Sequence, residues 1–351
     1  MQQFKNTLKI GRWWDGQLPL MMALVYYEIG LSKVIPGVLM FLLTLVMFLV
    51  SSIGIASFGY LLNDLTDREK DRQSGASNLL AHKGPRKIAA MFALVIILSF
   101  APWAWLPRSS AIFVLITFEY LLFIAYSVKP VRLKERGIPG SAADALYGYT
   151  VPLLVAMLVF AQLGKSTLPW WQVAITAVWS FVLGLRHILV HQLKDAANDE
   201  VSGTRTTVTV FGWDKVFRLM DRWLLPTEIA LFALFLISLG IRNPLLPLGY
   251  AVYLCWTCRF YHRLSLWNIA NPFRLPANDR VQFITVILMS QFHRLWMPLL
   301  MLPAIVLRAH IYIAVAIMHM MLFDHGFQTL FRYELQELRR IRRIHNIGGT
   351  C

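Results

Sequence analysis

The chain has 351 residues, of which 57% are hydrophobic and only 15% charged, and a formal net charge of +15. Soluble domains carry about 45–50% apolar and about 25% charged residues. The composition excludes a soluble globular fold, and with it the nucleic-acid binding that such a positive charge would otherwise suggest.

A hydrocarbon core of about 30 Å takes about 20 apolar residues per helix. In chain order such runs lie near 15–34, 36–62, 87–107, 109–127, 139–162, 168–193, 222–240, 243–258 and 281–307, with a tenth, shorter run near 310–327. Backbone groups in lipid must pair within their own segment, so these runs are helices. The alternating ten-residue segments of an outer-membrane barrel do not occur. The expected fold is all-α: a polytopic membrane helical bundle of nine to ten transmembrane helices. No small-residue cleavage site follows the first run, so no signal peptide is expected. Cys255 and Cys258 form a C-x-x-C inside a run, without the second pair that a structural zinc site needs.

The basic residues set the expected orientation. The alternate segments 1–12, 64–88, 128–137, 194–222, 259–282 and 325–351 hold 27 of the 34 Lys and Arg. The opposite loops hold one each: Lys33, Arg108, Lys165, Arg242 and Arg308. Cytoplasmic loops carry the excess. The N-terminus and the 64–88 loop are therefore expected in the cytoplasm, and ten crossings return the basic tail there. That tail, 328–351, reads as an amphipathic surface helix attracted to anionic membrane lipid.

The second run ends in "NDLTDREKDRQSG", Asn63 to Gly75. Its Asp67–Gly75 portion and Asp195–Gly203 both read D-x-x-x-D-x-x-S-G, at an offset of 128 residues. Each copy follows the second helix of a four-helix set. The transmembrane domain, 1–327, is therefore expected to hold two four-helix repeats, about 13–127 and 139–258, around a central cavity. Helical periodicity puts Asp64, Asp67 and Asp71 on one face, and Asp195 and Asp199 on another. Like charges at that spacing repel. A divalent cation accounts for both clusters, because magnesium takes carboxylate oxygens and completes its shell with water and phosphate. Asn63 heads the first cluster, and His191 and Gln192 hold the matching places in the second. Arg186, Asp144, Glu28, Glu119 and Glu228 lie within apolar runs, where ionisable groups are functional candidates. Arg186 is expected to snorkel toward the cytoplasm.

The N-D-x-x-D-x-x-x-D of "NDLTDREKD" resembles the first Asp-rich motif of the UbiA superfamily of intramembrane prenyltransferases. "KDAANDEVSGTRTTVTVFG", Lys194 to Gly212, resembles the second, with spacing most like the menaquinone-pathway naphthoate branch. "YSVKPVRLKERG", Tyr126 to Gly137, looks like the basic loop after the fourth helix. The resemblance covers about residues 10–310. Ser77-Asn78 stands where many members carry Arg-Pro, and Pro130 replaces the Lys of a Y-x-x-x-K pattern.

The resemblance implies a magnesium-dependent transfer of an isoprenyl group from an isoprenyl diphosphate to a lipid-soluble acceptor. It implies two Mg2+ sites, held by Asp64, Asp67, Asp71, Asp195 and Asp199. Lys129, Arg132 and Lys134 would close over the diphosphate, with Asp67, Asp195, Asp199, Lys129 and Arg132 as the catalytic set. Asn63, Arg186, His191 and Tyr147 would complete substrate binding, with Tyr147 and Tyr149 as aromatic faces for a carbocation. The expected location is a bacterial inner membrane with the active side cytoplasmic. An intramembrane terpene cyclase of the same superfamily would show the same metal motifs. A secondary transporter would instead break its helices at mid-membrane.

Overall fold

The computed structural model describes residues 16–74, 77–201, 203–263, 289–323 and 328. Among the described residues all regular structure is helical. Helix α1 is Leu18–Gly30, α2 Val38–Ser74, α3 Pro85–Phe100 and α4 Ser110–Ser127. Helix α5 is Ile138–Leu163, α6 Trp170–Val201, α7 Thr207–Phe211 and α8 Trp213–Gly240. Helix α9 is Leu245–Arg263, α10 Phe292–Val306 and α11 His310–Leu322. Each of the ten apolar runs carries one helix, and α7 is a short addition between runs. Helices α2 to α6 and α8 are long and apolar enough to cross a membrane; α1, α10, α11 and Leu245–Trp256 of α9 are shorter apolar helices. The chain is an integral membrane protein. Readings placed on 264–288 and on the tail beyond 328 lie outside the described residues.

The chain packs as two compact units. One is Leu31–Phe235; the other joins α1 to the chain from Leu236 onward. The first unit therefore takes helices from both of the expected repeat halves. In it, Gly54 of α2 lets the backbone of α3 approach so closely that a Cβ would meet the Ser99 amide nitrogen at 2.4 Å. A hydrogen-bonded run fixes that contact, with Trp103 donating to Ser51 Oγ at 2.9 Å and Ser51 donating to the Ser99 carbonyl at 2.7 Å. In the second unit α1 is buried from Leu18 to Ile29 and packs on α10. A helix that is apolar all round has no solvent face to offer. Tyr26 and His319 share a hydrogen bond there at 3.2 Å.

Large apolar side chains such as Leu39, Ile97, Val114, Leu121 and Ile237 are exposed on the outer faces. On a soluble protein this would be an aggregating surface; on a membrane bundle it is the lipid-facing one.

Two helices outrun the bilayer. At about 1.5 Å per residue, the 37 residues of α2 span about 55 Å, against about 30 Å of hydrocarbon. The 32 residues of α6 span about 48 Å. Both carry their acidic cluster out of the lipid on unbroken helix. A transporter's broken half-helices are not seen at either cluster.

Candidate active site

The first cluster sits on the last turns of α2, and each of its three carboxylates has taken a different partner. Asp67 is gripped from the loop after α4: Arg132 Nη2 donates to Oδ1 at 2.7 Å and Lys134 Nζ to Oδ2 at 2.5 Å. Lys134 also donates to the Asn63 side-chain oxygen at 2.8 Å. Arg132 has φ +39° and ψ +62°, in the left-handed region. A non-glycine residue held there costs about 1–3 kcal/mol and persists where its surroundings over-determine it. Here its guanidinium is fixed by Asp67 and also by Glu135 at 2.9 Å. The Lys134 ammonium has a lowered pKa because burial penalises its charge, while the hydrogen bond and charge of Asp67 pull the other way. Lys129, from the same loop, is exposed.

Asp64 and Asp71 brace the segment after α2. Asp64 is 3% exposed and accepts from the Leu79 N–H at 3.0 Å. Asn78 donates to Asp71 Oδ2 at 2.7 Å and to the Asp64 carbonyl at 2.8 Å, and caps the Leu80 N–H with its own oxygen. Arg68 donates to the carbonyls of Ala81 and Lys83. The Ser77-Asn78 departure from the family pattern thus has a local purpose, since one amide ties two acidic residues to the returning chain.

The second cluster, on α6, is more open. His191 Nδ1 and Asp195 Oδ2 lie 2.9 Å apart, with side chains 66% and 45% exposed. Asp199 accepts a hydrogen bond from Thr206. Just beyond, Gly203 adopts φ +64° and the Thr204 N–H returns to the Asp199 carbonyl at 2.8 Å. Such a left-handed glycine closes a helix C-terminus, which explains the Ser-Gly that ends the second copy of the repeat. The two helix ends meet directly, because Lys70 Nζ on α2 donates to Thr204 Oγ1 at 2.6 Å.

The model of the UbiA prenyltransferase family matches residues 19–285. The chain belongs to that family. No curated protein matches the sequence. Among solved structures, a UbiA homolog from Archaeoglobus fulgidus bound to GPP and Mg2+ is similar at 17% identity and TM-score 0.55, over 85% of this chain and 99% of that one. The same homolog bound to DMAPP and Mg2+ gives 16% identity and TM-score 0.53, over 81% and 98%. The apo UbiA homolog from Aeropyrum pernix K1 gives 12% and 0.51, over 82% and 97%. At these identities the structures share the UbiA fold with this chain. The match is to the family as a whole and does not distinguish its naphthoate branch.

Among the described residues no three His, Cys, Asp or Glu side chains gather around one point. A metal in this UbiA site would therefore take one or two carboxylates from each helix end. That suits magnesium, which keeps water and substrate phosphate in its remaining positions.

Arg186 does not snorkel toward the cytoplasm. Its side chain is 2% exposed and makes a two-pronged ion pair with Glu228 of α8, at 2.6 and 2.9 Å. A guanidinium in hydrocarbon either reaches the interface or meets a carboxylate, and Glu228 supplies the second solution. Sequence spacing could not pair them, because the two residues lie 42 positions apart. Tyr147 and Tyr149 lie on a widened π-helical turn of α5, Leu146–Thr150, just before Pro152, which has no N–H to donate back to Gly148. Tyr149 stacks on His187 of α6 at 5.0 Å, and Tyr147 faces Phe123 of α4 at 4.8 Å. On another face of α6 a crevice of about 530 Å³ is lined by Leu185, Leu189, Phe211, Trp223 and Lys215.

Proposed function

We propose that the protein is a magnesium-dependent prenyltransferase that moves an isoprenyl group from an isoprenyl diphosphate to a lipid-soluble acceptor, with its reaction centre at the cytoplasmic ends of α2 and α6 in a bacterial inner membrane. The carrying observation is the convergence of two acidic helix ends, linked through Lys70 and Thr204, with one basic loop clamped onto Asp67. The family supports the chemistry, and the relatives with GPP or DMAPP and Mg2+ support the donor class and the metal.

Asp67 and Asp71 would hold one magnesium ion, and Asp195 and Asp199 the other. Magnesium held by these carboxylates would supply positive charge to offset the charge that develops on the leaving diphosphate as the allylic C–O bond breaks. Arg132 and Lys134 already sit on Asp67, so they reach the diphosphate without new ordering, with Lys129 free to join them from the loop surface. Asn63 holds Lys134 in that position. His191 orients Asp195. Asp64 belongs with the bracing of Leu79 rather than with the metal ligands. Arg186 supports α6 through Glu228 rather than touching substrate. The apolar flanks of α2, α4, α5 and α6 shield the cation from water.

The test is direct. Purified protein in lipid is given geranyl diphosphate and a membrane lipid extract, with magnesium or with excess chelator, and products are identified by mass spectrometry. The expected result is a metal-dependent isoprenylated product. A cyclised hydrocarbon from donor alone would reassign the protein as a terpene cyclase. Full turnover in chelator, with no metal by elemental analysis, would overturn the mechanism.

A further inference from the structure

The crevice beside α6 has a chemistry of its own. Its walls are Leu185 and Leu189 of α6, Phe211 of α7, and Lys215, Leu219 and Trp223 of α8. The three α8 residues recur every fourth position and so share one helix face. A volume of about 530 Å³ is within the range of pockets that hold ligands. Leu219 and Trp223 are 55% and 70% exposed, so the crevice opens outward, toward lipid. At this level α8 widens into a π-helical turn, Met220–Leu224, ahead of Pro226, which has no N–H to donate back to Arg222. Such turns recur at functional sites.

We propose that this crevice binds an anionic glycerophospholipid, with an acyl chain between α6 and α8 and the phosphate at Lys215. Charge marks the rim. Lysine lays its stem along apolar surface and keeps its ammonium at the headgroup level. Arg218 and Arg222 follow at i+3 and i+7 on the same side of α8, whereas Asp214 and Asp221 fall on other faces. Among the described residues no carboxylate holds any of these three cations. Basic pockets between transmembrane helices bind anionic headgroups.

Depth argues for a lipid rather than a partner helix. The α8 lining runs from Lys215 to Thr227, about 18 Å at about 1.5 Å per residue. That is close to one leaflet, half of a hydrocarbon core of about 30 Å, and a partner helix would need the whole thickness. The leaflet is the one beside the acidic helix ends, because Trp213 at the start of α8 donates to the Leu193 carbonyl of α6 at 3.1 Å. The back of the crevice argues against a reactant. Ser141 there shares a hydrogen bond with Thr207 at 2.7 Å and accepts from Gln192 at 3.2 Å. A Cβ at Gly184 would meet Ala145 Cα at 2.7 Å, so α5 and α6 touch backbone to backbone. This seam separates a chain in the crevice from the interior of the bundle, and the lipid there is held rather than consumed.

The experiment offers the purified full-length protein, in mild detergent, equal amounts of phosphatidylglycerol and phosphatidylcholine. Retained lipid is counted by native mass spectrometry, and circular dichroism checks the helix content of each variant. Wild type should retain phosphatidylglycerol in preference. Lys215→Gln should lower that retention about fivefold, the effect of one basic residue near a membrane surface, and Lys215→Arg should keep it. Thr227→Trp, which fills the deep end, should abolish it with the rim charge intact. Lys87→Gln, an exposed cation at the start of α3, should leave it unchanged. Equal retention of the two lipids by wild type, or equal losses in Lys215→Gln and Lys87→Gln, would reduce the rim to general surface charge and overturn the site. Unchanged retention in Thr227→Trp would place the lipid elsewhere. Displacement of phosphatidylglycerol by geranyl diphosphate would give the crevice to the isoprenyl donor instead. None of these measurements uses turnover, so the lipid site is tested apart from prenyl transfer.

Discussion

Lys134 Nζ lies 2.5 Å from Asp67 Oδ2, joining the loop after α4 to the last turns of α2 across 67 residues of sequence. Arg132 holds the other oxygen of the same carboxylate. One carboxylate thus organises the two cations that the proposed mechanism brings to a diphosphate. Hydrogen bonds to charged groups contribute about 1.5–3 kcal/mol each, so this grip is a substantial part of what keeps the loop over the site.

On the proposed mechanism, removing the Asp67 charge has two effects, loss of a metal ligand and release of the loop. Asp67→Asn should lower turnover by about 10²-fold or more, in the range of a lost charge-stabilising group. Asp195→Asn should do likewise from the other helix end. Residues that act as a unit fail together, so the double variant should be little worse than the worse single. Glu69→Gln, which alters a pair with Arg72 whose side chains are both 65% exposed, should change little. Turnover of the four variants at saturating magnesium decides this; near-normal activity in Asp195→Asn would reduce the repeat to topology.

Lys134 gives the pH dependence a sign. Burial lowers its folded pKa below the ordinary 10.5. The unfolded chain then binds more protons between the two values, so this residue makes folding stability rise with pH across that window. Activity behaves oppositely, because the clamp needs the charged ammonium. Its alkaline limb should begin below the ordinary lysine range, and Lys134→Arg should move that limb upward. A pH–rate profile identical in the two proteins would contradict the assignment.

The buried pair of Arg186 and Glu228 should reveal itself by double substitution. Glu228→Gln leaves a buried guanidinium uncompensated, which costs about 3–5 kcal/mol. Arg186→Met with Glu228→Leu removes both charges and should recover most of that loss. Thermal unfolding in one fixed detergent measures it. A double variant as unstable as Glu228→Gln would mean that the site needs the charges themselves.

Asn78 should matter through what it donates. Asn78→Ala loses the hydrogen bond to the Asp71 carboxylate, about 1.5–3 kcal/mol, and the tie to the Asp64 carbonyl. Asn78→Asp should be worse, because a third carboxylate then faces Asp71. The order of melting temperatures, wild type above alanine above aspartate, is the expected result.

The class of fold and the ends of the helices that matter are legible in the amino-acid pattern alone. Apolar runs too long for anything but a bilayer had to be helices, and each of the ten carries one. The spacings of Asp64, Asp67 and Asp71, and of Asp195 and Asp199, place each set on one helical face whatever surrounds it. The partner that each charge takes is settled only by packing. Asp67 went to the basic loop, Asp64 to the Leu79 amide, Asp71 to Asn78, Arg186 to Glu228 and Lys70 to Thr204. Helical periodicity fixes which residues share a face, but in helices apolar around their whole circumference it does not say which neighbour that face will meet. In lipid no polar stripe marks the outside, so the rotation of each helix is set by close contacts such as Gly54 on Ser99 and Gly184 on Ala145, and those exist only once the bundle has packed.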